Sequence, residues 1–241
     1  MHTTTSEGFH CGMCSKREPT LRLELPYCPW CTAPQDTQQG APYRGVNLFL
    51  HVSSGKKFFP LRCAPEDFEI EDIAHALSNI CRYGGHGAFY SVAEHAVLVS
   101  LMVPFEHALW GLLHDAAEAY VGDMVRPLKS NIPIFGRIED RVFGQLAKRF
   151  GLKGEQPEEV TWADNLILRP EVMRVFNGAF DPVTEGWVLS SGVPSPEDEV
   201  KVRLLSPCEA KMLFLARFEE LTANPKRPHY APPTARPSKD E

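Results

Sequence analysis

An adjacent histidine and aspartate, His114 and Asp115, are the residues of this sequence whose types and setting most directly indicate chemistry. They lie in an otherwise apolar stretch, with LWGLL before them and AA after them. Burial of such groups costs free energy unless a partner satisfies them, and a divalent metal ion does so through imidazole nitrogen and carboxylate oxygen. Glu118 falls on the same face of a predicted helix, where it can hold or deprotonate a metal-bound water. Alone, the pair would favour a surface or helix-capping role.

Two further polar residues stand in comparable apolar settings on other predicted helices. His95 comes early in the preceding helix, among apolar neighbours, and Asp164 stands beside an apolar run on a later helix. One histidine, an adjacent His-Asp pair and a distant aspartate are thus spread over three predicted helices, so the His-Asp pair does not stand alone.

The elements that must position these side chains are mainly helical. Apolar residues recur at three and four residues, and Ser91 and Ser206 each precede a glutamate by three residues, as in a capping box. A small hairpin is predicted within residues 46–62, around Ser53-Ser54-Gly55. The first predicted helix begins at residue 70 and ends before Gly84. The others cover about 91–103, 105–121, 136–150, 157–177 and 207–223, with an interruption of the fifth helix at Pro170. The expected fold is therefore an all-α domain.

The order, spacing and helical setting of His95, His114-Asp115 and Asp164 resemble those of the HD-domain metal-dependent phosphohydrolases, over about residues 55–220. Within that superfamily the chain is similar to the deoxynucleotidase-like branch and its bacteriophage relatives. These include the dATP triphosphohydrolases of phages that exclude adenine from their DNA. The stretches that carry this likeness are residues 54–61, 72–78, 81–86 and 89–95.

The resemblance implies an HD-domain helical bundle and a role for each site residue. It makes His95, His114, Asp115 and Asp164 the ligands of a divalent transition metal (Co²⁺, Mn²⁺ or Zn²⁺), assigns Glu118 and Asp123 to catalysis, and assigns Arg82 and Lys129 to substrate phosphate. These roles are chemically reasonable. Metal-bound water loses a proton near neutral pH, Glu118 can orient it, and Asp123 can protonate the leaving 5′-oxygen. Without the resemblance, Lys129 is equally well explained as a solvated helix-end residue.

Four cysteines near the N-terminus form two C-x2-C pairs separated by thirteen residues: Cys11, Cys14, Cys28 and Cys31. Such pairs supply a closed, tetrahedral, all-thiolate zinc site, which is structural because no coordination position stays open. Disulfide pairing is the alternative. The sequence predicts a small zinc-ribbon-like module on which the HD-domain resemblance has no bearing.

Proline distribution outlines the expected domains. Ten of the 21 prolines lie in the first 42 or the last 17 residues, which leaves a middle of ordinary composition. We expect a four-cysteine module at 1–34, a linker at 35–45, an HD-type phosphohydrolase domain at 46–224 and a disordered Pro-rich tail at 225–241.

Charge and hydropathy restrict the partners and the compartment. With 25 Lys and Arg against 31 Asp and Glu the net charge is −6, so nucleic acid is not expected as the main partner. No apolar run approaches the ~20 residues that span a bilayer, and the N-terminus lacks the features of a secretory signal. We therefore expect a cytoplasmic protein that does not associate with membranes.

The sequence thus predicts a phosphohydrolase that cleaves the bond between phosphorus and the 5′-oxygen of deoxynucleotides. A triphosphohydrolase acting on a dATP-like triphosphate is favoured over a 5′-deoxynucleotidase acting on monophosphates, because the phage-type stretches fit it better. Lys56, Lys57 and Arg62 are candidates for binding a longer phosphate chain. Other interpretations are a phosphodiesterase, or a nucleic-acid or protein adaptor in which the HD domain is inactive. The resemblance also implies a homo-oligomer, at least a dimer.

Overall fold

The structure, a computed structural model, describes residues 49–185 and 200–223, together with three short strands near the N-terminus. The chain divides into two compact units, Met1–Phe49 and Leu50–Glu241. In the first unit, strands β1 (Thr3–Thr5), β2 (Gly8–His10) and β3 (Arg17–Glu18) form an antiparallel sheet in that order. The four cysteines of the predicted zinc module, the predicted linker at 35–45 and the tail at 225–241 lie outside the described residues.

The second unit begins with the small hairpin that the sequence predicts, and is otherwise helical. Strand β4 (Leu50–His51) pairs antiparallel with β5 (Lys57–Phe58) across the Ser-Ser-Gly turn. The α-helices of the described residues are α1 (Ile70–Asn79), α2 (Val92–Met102), α3 (Phe105–Leu113), α4 (Glu118–Val121), α5 (Arg126–Lys129), α6 (Pro133–Phe150), α7 (Glu158–Val175) and α8 (Pro207–Ala223). The prediction of a mainly helical protein is confirmed. Within the described part of the chain, none of these helices has the length and apolarity that crossing a membrane requires.

Helix α2 is the central element of this unit. It packs against α1, α3, α7 and α8, and residues 92–97 are all buried. Ile73 and Leu77 of α1, Leu112 of α3 and Phe214 of α8 complete the core around it. His95, which lies within this buried run, is therefore in the interior of the unit.

The capping boxes form differently at the two predicted sites. Ser206 and Glu209 cap α8 reciprocally: the Glu209 carboxylate accepts the Ser206 N–H at 2.9 Å, and Ser206 Oγ accepts the Glu209 N–H at 3.4 Å. At α2, Ser91 Oγ accepts the Glu94 N–H at 3.2 Å, but the Glu94 carboxylate accepts N–H groups of the segment before α8 instead. The buried Glu94 thus joins two distant parts of the chain.

Two predicted helix boundaries are wrong. The helix expected at 105–121 ends at Leu113, and residues 114–117 form tight turns with i→i+3 bonds, such as Glu118 N–H to the Asp115 carbonyl at 3.0 Å, before α4 begins. Pro170 does not interrupt α7. Buried apolar residues on both sides of it, including Ile167 and Val172, hold the helix together although Pro170 donates no hydrogen bond.

Candidate metal centre

His95 and His114 meet in the interior of the helical unit. His95 is on α2 and has no exposed surface, while His114 directly follows α3. Their Nε2 atoms are 3.3 Å apart. In each ring Nδ1 is engaged elsewhere, His114 with the Gly111 carbonyl at 2.8 Å and His95 with the Glu171 carboxylate at 2.6 Å. Both Nε2 atoms therefore face a common point.

Two carboxylates approach the same point. Asp164 Oδ1, from α7, is 3.2 Å from His95 Nε2. Asp115 Oδ2, from the turn after α3, is 3.2 Å from His114 Nε2 and 3.6 Å from His95 Nε2. Three distant segments of the chain thus bring the four predicted ligands together.

These donor atoms fit a metal ion. One ligand atom from each of His95, His114 and Asp164 can be chosen so that all lie within 4.8 Å of one another. Two ligands each about 2.1 Å from a metal would be about 3.0 to 3.4 Å apart at octahedral and tetrahedral angles, which matches most of the spacings above. The group can therefore hold a metal ion, and mixed nitrogen and oxygen donors suit several divalent transition metals.

The ionisation of the centre reflects its crowded charges. Burial opposes protonation of His95, but the charge of Glu171 and the hydrogen bonds to Asp164 and Glu171 outweigh it and raise the pKa of His95 to about 9. Burial would raise the pKa of Asp164, but its hydrogen bond to His95 lowers that pKa to about 2. The pKa of Asp115 is likewise lowered, because the neighbouring histidines and Arg82 outweigh its burial. Without a metal, the carboxylates are charged and hold a proton on His95.

Glu118 and Asp123 adjoin this centre, and their pKa values are raised, in contrast to the lowered pKa values of Asp115 and Asp164. Glu118 begins α4 and is 6% exposed, and its Oε2 has no hydrogen-bond partner among the described residues. Burial raises the pKa of Glu118 to about 10, with the charges of Asp115 and Asp123 adding to the effect. Burial also raises the pKa of Asp123, which follows Gly122 at the end of α4. Glu118 can therefore keep a proton near neutral pH, and the pKa of Asp123 is shifted in the same direction.

Arg82 lies beside the metal-ligand cluster. Its Nη1 is 3.6 Å from Asp115 Oδ2, its Nη2 is 3.3 Å from Glu171 Oε2, and its side chain is 15% exposed. Its buried Nε has no hydrogen-bond partner within the described residues. A guanidinium with spare donor capacity next to the candidate metal ligands is suited to an anionic group.

Lys129 is placed near the centre but is already paired. Its Nζ is 2.5 Å from Glu139 Oε2 on α6. Burial opposes its charge, but Glu139 and the acidic residues of the site raise the pKa of Lys129. Of the other predicted phosphate contacts, Lys56 pairs with Glu69 at 2.9 Å on the surface, and the Arg62 guanidinium lies 4.4 Å from the centre of the Phe59 ring.

One residue of the site that the sequence does not single out is Glu171. It is fully buried on α7 and touches both a candidate metal ligand, His95, and Arg82. One signal was available, since Glu171 follows Asp164 by seven residues and so shares its helix face. Glu139 was also missed, because nothing in the sequence pairs it with Lys129.

No protein-family model matches the chain. It is 39% identical over 177 residues to the uncharacterized protein YfdR of Escherichia coli strain K12, an alignment that covers 72% of this chain and 96% of YfdR. It is 32% identical over 183 residues to the uncharacterized protein RCAP_rcc00048 of Rhodobacter capsulatus, covering 70% of this chain and 92% of that protein. The chain belongs to the family of these two proteins.

Proposed function

We propose that this protein is an HD-domain, metal-dependent phosphohydrolase that cleaves the bond between phosphorus and the 5′-oxygen of a deoxynucleotide. The observation that carries the proposal is the convergence of His95, His114, Asp115 and Asp164 from three separate helical regions. Beside them stand two carboxyl groups with raised pKa and a partly unsatisfied arginine. Burying such a cluster of charged groups costs stability, and a protein that acts only as an adaptor gains nothing in return for that cost.

The proposed roles of the protein groups follow from their positions. A bound divalent cation would acidify water, polarise a phosphate oxygen and lower the pKa of Glu118 towards neutrality. Arg82 binds a phosphate oxygen through its guanidinium and draws the phosphorus towards the centre. Glu118 orients the attacking water and accepts its proton, and Asp123, whose pKa is raised by burial, is the group proposed to donate a proton to the departing 5′-oxygen. As the water oxygen bonds to phosphorus, the bond between phosphorus and the 5′-oxygen breaks. One proton passes from the water to Glu118 and another from Asp123 to the 5′-oxygen, so the total charge does not change.

The proposed substrate is a deoxynucleoside triphosphate of the dATP type, for which the products are the deoxynucleoside and triphosphate. Support comes from the phage-type stretches, and two of them supply structural parts of the site. Residues 81–86 contain Arg82, and residues 89–95 contain the N-cap of α2 and His95.

The test is to incubate the purified full-length chain with Mn²⁺ or Co²⁺ and a panel of deoxynucleoside mono-, di- and triphosphates, and to identify the products by chromatography. We expect turnover of triphosphates with release of triphosphate. Orthophosphate released from monophosphates alone would assign the protein to the nucleotidase branch instead. Absence of turnover with every nucleotide would contradict the proposed reaction.

Two variants make this assay specific to the site. Asp115→Ala should abolish turnover by removing a metal ligand. His107→Gln is the matched control, because His107 lies on α3, the helix that precedes His114, but contacts Glu159, at 3.7 Å, rather than the candidate metal ligands. It should keep wild-type activity.

For the N-terminal module we propose a structural Zn²⁺ held by Cys11, Cys14, Cys28 and Cys31. The spacing of the cysteines supports this proposal. Elemental analysis of wild type and Cys28→Ser should show one zinc ion fewer in the variant. Equal zinc content would contradict the four-cysteine site, and thiol titration would then show whether the cysteines form disulfides.

A further inference from the structure

Glu171 contacts four side chains with two oxygen atoms, although none of its own surface is exposed. Its Oε1 accepts the Tyr90 hydroxyl at 2.8 Å and lies 2.6 Å from His95 Nδ1. Its Oε2 accepts the Tyr83 hydroxyl at 2.7 Å and lies 3.3 Å from Arg82 Nη2. Each oxygen thus has one tyrosine and one charged or chargeable partner.

This arrangement determines which nitrogen of His95 can bind a metal. A carboxylate can only accept, so the nitrogen that faces it, Nδ1, must carry a proton. The lone pair available for coordination is then on Nε2, the atom that faces His114 and Asp164. Hydrogen bonding of the outer nitrogen to a carboxylate also orients an imidazole ligand and raises its basicity.

The other three partners keep Glu171 in place as an ionised acceptor. Two phenol groups donate to it, and the Arg82 guanidinium compensates the charge of this fully buried carboxylate. Each oxygen of the Glu171 carboxylate therefore has a hydrogen-bond donor that fixes its position, and the carboxylate in turn fixes the orientation of the His95 ring.

We propose that Glu171 is a positioning residue for the metal centre, one that fixes the His95 ring by Nδ1 and presents Nε2 to the metal ion. This inference rests on the metal site of the proposed function, but not on the reaction or its substrate. It assigns a role to a buried glutamate that the catalytic proposal leaves unused.

Glu171→Gln tests this inference because the amide has only one accepting edge. Arg82 and Tyr83 both donate, so the amide oxygen should face them and the NH₂ group should face His95. His95 must then accept at Nδ1 and carry its proton on Nε2, which blocks the coordinating atom. We expect the Kd for Mn²⁺ to rise about 10- to 100-fold, the usual effect of losing such a partner.

The measurement is a titration of the full-length chain with Mn²⁺ alone, followed by the electron paramagnetic resonance signal of the free ion. Mn²⁺ suits nitrogen and oxygen ligands and disfavours thiolates, so the predicted cysteine site does not compete. His107→Gln is the matched control: it changes a histidine of α3 that contacts Glu159 at 3.7 Å rather than Glu171 or the candidate ligands, and its Kd should stay within about threefold of wild type. Circular dichroism confirms that each variant is folded.

A second measurement decides the matter if Glu171→Gln does not fold. In the Zn²⁺-loaded wild-type chain, nitrogen-15 NMR of the histidine rings should show a proton on Nδ1 of His95, with the signal assigned by its loss in His95→Asn. A folded glutamine variant whose Mn²⁺ affinity stays within about twofold of wild type would overturn the inference. So would an Nδ1 without a proton, or a wild-type chain that binds no Mn²⁺. Tight Mn²⁺ binding without nucleotide turnover would contradict only the proposed reaction.

Discussion

Gly111 of α3 and Ser100 of α2 meet backbone against backbone. A Cβ atom at Gly111 would lie 2.9 Å from Ser100 Cα, closer than such atoms approach, and 3.1 Å from Ser100 N, which is an unusually tight contact. The Gly111 carbonyl also bonds the ring of His114, three residues further on. The closeness of the two helices therefore sets how near His114 comes to His95.

Gly111→Ala should accordingly disturb both folding and the metal centre. We expect a loss of about 1 to 3 kcal/mol in the free energy of unfolding, as for other overpacked sites, together with weaker Mn²⁺ binding. Urea denaturation and Mn²⁺ titration would measure the two effects. Gly144→Ala is the control, since nothing among the described residues lies within 4 Å of a Cβ there. It should stabilise α6 by about 0.5 to 1 kcal/mol, and equal behaviour of the two variants would contradict the close-contact explanation.

Glu118→Gln should separate catalysis from stability. Burial raises the pKa of Glu118 from 4.5 to about 10, so the folded, metal-free protein keeps a proton that the unfolded chain loses. The stability contribution of Glu118 is complete below pH 4.5 and is lost as the pH rises towards 10. The variant stays neutral and should gain about 1 to 3 kcal/mol relative to wild type between pH 6 and pH 9, while losing about 100-fold or more in turnover. Denaturation at several pH values with EDTA present measures the gain in the free energy of unfolding. If the difference in this free energy between variant and wild type stays the same from pH 6 to pH 9, Glu118 does not retain its proton.

Metal binding should strengthen as the pH rises. Because the pKa of His95 in the metal-free protein is about 9, the ring is protonated below that pH and a metal ion must displace the proton. The Mn²⁺ affinity should therefore increase about tenfold per pH unit between pH 6 and pH 8 and level off near pH 9. Titrations at several pH values at constant ionic strength would test this. An affinity that does not change from pH 6 to pH 8 would be inconsistent with a protonated His95.

Two lysines in comparable ion pairs should differ in their effect on substrate. Lys129 pairs with Glu139 close to the acidic residues of the centre, whereas Lys56 pairs with Glu69 at an exposed site. Lys129→Gln should raise KM for the nucleotide about tenfold through the loss of a phosphate contact, with a smaller change in kcat. Lys56→Gln should leave both parameters near their wild-type values. Steady-state kinetics would measure this, and an equal change in KM for both variants would argue for a general charge effect.

Much of the helical unit can be predicted from local patterns. The hairpin around Ser53-Ser54-Gly55, the start of α2 at Ser91 and the capping box of α8 depend on residues a few positions apart, and the structure agrees with each of them. The helix boundaries that fail are those where packing outweighs local preference. Pro170 stays within α7 because its neighbours are buried, and α3 ends early where the chain turns to direct His114 and Asp115 inwards.

The candidate site, like the helices, could be predicted from the sequence only in part. The types of the donors, and their order along three helices, can be recognised in the sequence because His and Asp in apolar surroundings demand a partner. Only the tertiary structure decides which of these side chains meet. It brings His95 Nε2 and His114 Nε2 within 3.3 Å of each other and places Glu171 against the outer nitrogen of His95. It also pairs Lys129 with Glu139. The physical reason is that these contacts join residues between 10 and 76 positions apart. Local sequence patterns carry information over one or two helical turns, whereas the packing of α2 against α3 and α7 determines which distant side chains share a charge or a proton.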